Sequence, residues 1–200
     1  MKTTTIIRAS GVPLRRSDVD TDQIIPSEWL KRVERTGFGA GLFSEWREDP
    51  SFVLNDERYR GAKILVAGAN FGVGSSREHA VWALQDYGFE AVVSARFGDI
   101  FRSNCTKVGV VPVMIDESCV EALQTLIESS PSSEITIDLS ELTIHAESGD
   151  RSVTASFPLD PFTQERFIQG LDDIALTLRY EANITSFEQT RASWLPTTRL

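Results

Sequence analysis

Between residues 63 and 115 the apolar positions fall into short continuous runs separated by segments with helical spacing. KILVAGA at 63–69, AVVSA at 91–95 and the apolar stretch at 108–114 read as buried strands. AVWALQDY at 80–87 and the segment 97–105 read as helices. Three strands joined by two helices at this spacing predict a parallel sheet with crossover connections. A further helix is predicted at 117–128. Beyond Pro131 the period changes to two: ITIDL at 135–139, LTIHA at 142–146 and SVTASF at 152–157 are linked by polar turns such as ESGD at 147–150. That alternation predicts antiparallel strands, followed by helices at 161–170 and 172–180. Toward the N-terminus, residues 3–8 read as a strand and 16–22 as a polar turn. The segment 23–33 ends in a helix that starts near Pro26, with Ser27 as the alternative. RTGFGAGLF at 35–43 carries three glycines and reads as a flexible loop. The pattern is that of one α/β domain over residues 1–190, a central parallel βαβαβ unit with additional antiparallel strands, and a flexible tail at 191–200.

Composition narrows the function classes. At 200 residues, with 41% hydrophobic and 24% charged positions, the chain is long enough to bury a real core and is ordinary for a globular protein. A net charge of -9 without any Lys/Arg block opposes binding to nucleic acid. The apolar runs fall far short of the ~20 residues that span a bilayer, and MKTTTIIRAS lacks the apolar segment of a signal peptide, so the expected location is the cytoplasm. Cys105 and Cys119 read as free thiols. An iron–sulfur cluster takes about three or four thiolates, so this chain is not expected to hold one by itself. His79 and His145 do not give zinc-ligand spacing.

The stretch GANFGVGSSREH at 68–79 lies between a predicted strand and a predicted helix. It fits no phosphate-binding template. Counted from Gly68, the P-loop pattern puts its second glycine at Val73 with no lysine after it, and GxGxxG laid from Gly72 meets Arg77 at its third glycine. GxSxG is absent from the stretch. Two readings of these residues stand. In one, Ser75 and Glu78 form a capping box. The other begins from Arg77, a cation in the first helical turn, where the macrodipole opposes it by about 0.3–1 kcal/mol. A bound anion offsets that cost: helix-end amides, the two serine hydroxyls and the guanidinium fork suit a small carboxylate. Gly72 and Gly74 then let the ligand approach the backbone, at the carboxyl end of a parallel strand. Asp18, Asp20 and Asp22 read either as a solvated turn or as a DxDxD metal site without the glycine and later glutamate of a calcium loop. Arg32 and Arg35 read as helix-end cations, and His79, Asp99 and Asn104 as structural polar groups.

Four blocks in order, DVDTDQIIPSEWL at 18–30, RTGFG at 35–39, GANFGVGSSREHAVWAL at 68–84 and FGDIFRSNC at 97–105 with GVVPV at 109–113, carry a family resemblance. The chain resembles the small subunits of 3-isopropylmalate dehydratase, in the aconitase superfamily. The resemblance implies a swivelling β/β/α domain like the mobile last domain of aconitase, active only with a separate large subunit, which bears a [4Fe–4S] cluster. It implies interconversion of 2-isopropylmalate and 3-isopropylmalate in leucine biosynthesis, by elimination and re-addition of water. On the matching positions Ser75 is the base, Ser76 and Arg77 hold a substrate carboxylate, and Asp22 orients neighbouring groups. Arg35 is the second substrate arginine, with Arg32 as the alternative. Leu30, Val33, Thr36 and Gly37 shape the pocket for the isopropyl group. No metal or cofactor is assigned to this chain itself. A homoaconitase-type or dimethylmalate/citraconate-type dehydratase subunit is the close alternative, and a non-catalytic carboxylate-binding module the distant one. A catalytic Ser75 cannot also be an engaged helix cap, so the helix is expected to begin at residue 76 or later.

Overall fold

The computed structural model describes residues 1–31, 36–75, 77–192 and 194–195. Arg32, Val33, Arg35 and Ser76 lie outside the described residues, as does most of the 191–200 segment. β2 (Gly11–Leu14), β3 (Ile64–Ala67), β4 (Ala91–Ser94) and β5 (Val111–Met114) pair in parallel, in that order. Nearly every residue of these strands is buried, which explains continuous apolar runs in place of alternation. α2 (Glu78–Tyr87) and α3 (Asp99–Val108) are the two crossovers and pack against each other. A second sheet runs β1 (Ile6–Ala9), β6 (Ile135–Asp138), β7 (Thr143–Ser148) and β8 (Arg151–Ser156), antiparallel throughout. Ile135, Ile137, Ile144 and Ala146 form its buried face. α4 (Glu117–Ser129) lies between the sheets, against β2, β3 and β4 on one side and β7 and β8 on the other. One hydrophobic cluster runs through both sheets.

The expected parallel unit and the added antiparallel strands are both present; the differences are local. β2 does not stand out in the sequence because Pro13 interrupts it, and a proline is tolerated only on an edge strand. β2 is such an edge, and Pro112 lies in β5 at the opposite one. Buried Gln124 of α4 fastens the open end of β2: its Nε2 donates to the carbonyls of Leu14 (3.2 Å) and Val66 (3.0 Å). Within the described residues the helix expected from Pro26 or Ser27 onward is a 3₁₀ turn at Ser27–Lys31, and a single unforeseen turn, α1 (Thr21–Ile24), precedes it. Pro26 forces the preceding Ile25 into an extended conformation and stops the helix. The glycine loop at 35–43 is not built for flexibility. Phe38, Gly39 and Gly41 are buried in a 3₁₀ turn, and a Cβ on Gly39 would stand 2.8 Å from the Tyr87 backbone nitrogen. The connection to β3 contains further 3₁₀ turns over a stacked Phe43–Trp46 pair. The chain closes with α5 (Pro161–Gln169), α6 (Asp173–Leu178) and α7 (Glu181–Thr190), the last of them not foreseen.

Beyond their last ladder residues, the parallel strands stay joined. Phe71 N–H donates to the Arg96 carbonyl (2.9 Å) and Gly98 N–H to the Phe71 carbonyl (3.0 Å). On the other side Gly72 N–H donates to the Val19 carbonyl (2.8 Å) and Thr21 N–H to the Val73 carbonyl (3.1 Å). Gly72 has φ +74, and a Cβ there would stand 2.2 Å from Cγ of Phe101. Gly72→Ala is therefore expected to cost about 2–4 kcal/mol, from overpacking plus left-handed strain. Gly61→Ala, at φ +77 with nothing within 4 Å, should cost only about 1–2 kcal/mol. Thermal unfolding of the two variants checks the difference.

Candidate functional site

Residues 16–22, 68–75 and 96–98 form a continuation of the sheet past the carboxyl ends of β2, β3 and β4, the place where open parallel sheets bind ligands. Two left-handed residues lock the first pair of segments: Asp18 (φ 55) accepts a hydrogen bond at Oδ1 from Nδ2 of Asn70 (φ 57), at 2.7 Å. Asp20 then caps α1, accepting from the Gln23 amide at 2.8 Å while Gln23 Oε1 accepts from the Asp20 amide at 3.0 Å. The capping box of this region is thus Asp20 with Gln23. Thr21 is 1% exposed, and its hydroxyl donates to the carbonyl of Ser75 at 2.8 Å. Asp22, the third of the spaced aspartates, is ion-paired with Arg77. The three carboxylates point to three different partners, and among the described residues no group of three or more His, Cys, Asp or Glu side chains is placed to hold a metal ion.

The Ser75–Glu78 capping box does not form. α2 begins at Glu78 with extended Arg77 as its N-cap, and no side chain caps it. Ser75 is still part of the sheet continuation, held there by Thr21, and is exposed, as the requirement for a free hydroxyl anticipated. Arg77 Nη1 donates to Asp22 Oδ1, so the anion beside this misplaced cation is a side chain of the same protein. Gly72 is small because of the Phe101 ring against it, and Gly98 because a Cβ would lie 2.4 Å from the Gly72 carbonyl oxygen. At Gly74 (φ +84) a Cβ would meet, among the described residues, only Asp20, at 3.3 Å, so there the backbone conformation is what calls for glycine.

A cavity of about 250 Å³ opens at this point. Thr21, Ser75 and Arg77 line it together with Asp99, Ile100 and Phe101 from the start of α3. Asp99 and Ile100 are the residues that sequence reasoning missed as site components; their position after β4, the next strand in the parallel order, is the signal that could have found them. Leu30 is half-buried, Thr36 and Gly37 are exposed, and none of the three lines this cavity. His79 packs edge-on between Phe38 (5.3 Å) and Trp82 (4.6 Å), a structural setting. A larger cleft of about 470 Å³ lies near β2, but its Arg15 and Arg58 already hold Glu128 and Asp56 through both carboxylate oxygens. Cys105 is fully buried, and burial pushes its thiol far above the usual range, so it is no candidate ligand.

The family model described as the Aconitase C-terminal domain matches residues 1–118, and a second, described as the C-terminal domain of the 3-isopropylmalate dehydratase small subunit, matches residues 173–198. The chain is 61% identical to the 3-isopropylmalate dehydratase small subunit of a Parafrankia species, over 99% of this chain and 100% of that one. It is 60% identical to the protein of the same name from Frankia alni, over 98% of each. The solved structure of a 3-isopropylmalate dehydratase from Methanocaldococcus jannaschii shares the fold, with a TM-score of 0.64 at 24% identity, covering 92% of this chain and 99% of that one. With relatives this similar along nearly its whole length, the chain belongs to the 3-isopropylmalate dehydratase small subunits of the aconitase superfamily.

Proposed function

We propose that this chain is the small subunit of a hydro-lyase that interconverts 2-isopropylmalate and 3-isopropylmalate in leucine biosynthesis, active in complex with a large subunit. Among the features of the site, one carries the reading: an exposed serine outside the helix and a half-paired arginine lining the same cavity. Both substrates are dicarboxylates, and their interconversion requires a proton to leave and return at carbon. Arg77 supplies the anchor. Its bond to Asp22 fixes the guanidinium through Nη1, and its other N–H groups take one substrate carboxylate. Asp99, across the cavity, repels a carboxylate placed against α3 and so turns the acid end toward Arg77. Ser75 moves the proton, and the positive charge of Arg77 lowers the cost of its alkoxide form. Thr21 orients the Ser75 peptide from within the core.

Ser76 and Arg35 complete the carboxylate contacts in this reading, and Leu30, Val33, Thr36 and Gly37 are assigned to the pocket for the isopropyl group. The described residues of this chain do not fit an iron–sulfur cluster, since its two cysteines lie on different helices and Cys105 is inaccessible. The cluster is assigned to the large subunit, where it would act as Lewis acid on the substrate hydroxyl. No helix of the described residues is long and apolar enough to cross a membrane. A biosynthetic role on a soluble dicarboxylate fits the cytoplasm.

The test uses the chain reconstituted with its large subunit. Ser75→Ala is expected to lower kcat by ~10²–10⁴-fold with little change in KM. A variant that keeps its kcat removes Ser75 from the role of base. Arg77→Lys should raise KM by about 10-fold or more, because lysine cannot form the fork; unchanged KM refutes the anchor. Thr21→Val should lower kcat several-fold and stability by about 1 kcal/mol, with Thr21→Ser restoring both. Failure of serine to rescue kcat leaves Thr21 with a packing role only. Comparing kcat/KM for isopropylmalate with that for homoaconitate and citraconate separates this dehydratase from its superfamily alternatives.

A further inference from the structure

We infer that the C-terminal arm, α6 and α7 with Trp194, is the surface on which the large subunit docks. The inference rests on the functional proposal that the enzyme is completed by a large subunit. Every residue of α7 is exposed, and α6 contributes nothing to the core. The apolar side chains are nevertheless ordered into faces. Tyr180, Ile184 and Phe187 recur at spacings of four and three along α7, and Ile174 and Leu178 lie four apart on α6. A ten-residue helix with no side-chain cap is too short to persist on propensity alone, so a covering surface is called for. Tyr180, Phe187 and Trp194 are 66%, 67% and 82% exposed. At about 200 Å² per aromatic side chain, these three alone leave on the order of 400 Å² in water. With Ile174, Leu178 and Ile184 added, the arm approaches the ~800 Å² that each partner buries in a standard stable interface.

Two observations name the occupant. The aconitase C-terminal domain, whose name makes it the end of a longer chain, is matched at residues 1–118, without the arm. The arm is matched by the domain belonging to the small subunits of the dehydratase. A domain tethered within one chain meets its neighbour at millimolar effective concentration. A separate chain must supply that association through surface of its own, and of the segments beyond residue 118 the arm is the one that the small-subunit model matches. The second observation is continuity with the site. Buried Arg166 of α5 donates from Nη2 to Asp173 (2.8 Å) and from Nε to the Leu171 carbonyl (3.3 Å), and Arg179 pairs with Glu165 at 3.0 Å, so α6, the first helix of the arm, is clamped to α5. From α5 a groove of about 380 Å³ runs past Asp160 and Arg102 to Asp99. Asp99 also lines the cavity of Ser75 and Arg77, beside exposed Ile100. A partner seated on the arm is thereby led along one face to the mouth of the site.

The test measures association and turnover separately. The double variant Ile184→Asp, Phe187→Asp alters only exposed positions, so its thermal midpoint should match that of the unaltered chain. Its dissociation constant for the large subunit, by calorimetry or sedimentation, should rise by about 100-fold or more. Its turnover should recover as large subunit is added in excess. Ile174→Asp with Leu178→Asp should act in the same direction, whereas Ile6→Asp, an exposed apolar position on β1, should leave association intact. Unchanged affinity in both arm variants overturns the proposal. So does loss of small-subunit self-association with affinity for the large subunit preserved, which puts a second copy on the arm. An unaltered pair that associates without turnover sinks the functional reading instead, and leaves the docking result to stand or fall by the variants' affinities.

Discussion

The ring of Phe101 occupies the space that a side chain on residue 72 would need, and the site is assembled around that contact. With Gly72 against the ring and Gly98 against the Gly72 carbonyl, the turn leaving β3 lies flat on the turn leaving β4 and on the first turn of α3. Val19 and Thr21 hold its other edge by backbone hydrogen bonds. Three loops that would otherwise splay from the sheet are thus held as one short continuation of it. Ser75 and Arg77 come to face Asp99 and Ile100 as a consequence. A proton moves at carbon only when base and substrate are held within a fraction of an ångström of the reacting geometry, and a loop laced to neighbours on both sides can hold it so.

The charges follow from the same packing. Arg15 and Arg58 grip their carboxylates through both oxygens, which uses the planar fork fully. Arg77 touches Asp22 through one nitrogen and one oxygen, and Asp22 is itself about half exposed. That arrangement compensates the cation at the start of α2 without saturating it. On a protein of net charge -9, a carboxylate ligand needs such a local exception to be drawn in at all. The same Asp22 holds the guanidinium in place, so the proposed carboxylate contact would cost little rotamer entropy.

How much of this was legible in the sequence depends on whether a residue's reason is local. The parallel strands could be read because burial on both faces leaves apolar runs, and the antiparallel strands because burial on one face leaves alternation. β2 escaped because Pro13 argues against a strand unless the strand is known to be an edge, and edges are a property of topology. The glycines at 37–41 suggested mobility, while Gly39 and Gly41 are small because Tyr87 and Trp29 crowd them. Ser75 and Glu78 have the spacing of a cap, yet the Thr21 hydroxyl holds Ser75 in the sheet continuation and the helix starts later. Arg77 stood out by its unfavourable position, a local electrostatic conflict that the structure answers with Asp22. Asp99 and Ile100 carry no such conflict, and only the strand order brings them to the cavity.

The arm bears on what a separate swivelling domain has to achieve. Binding energy alone would let the small subunit sit on its partner in many orientations, and most would leave Ser75 facing away from the reacting atoms. A flexible tail could raise affinity but could not choose among these orientations. The clamp of Arg166 on Asp173, with Arg179 on Glu165, fixes α6 to α5, and α5 adjoins the groove that ends at Asp99. Affinity from the exposed apolar side chains and orientation from the anchored α6 are then supplied by one surface. This explains why apolar side chains that contribute nothing to the core are carried beside a helix, α6, whose Asp173 is held by buried Arg166 and whose C-cap Arg179 pairs with Glu165.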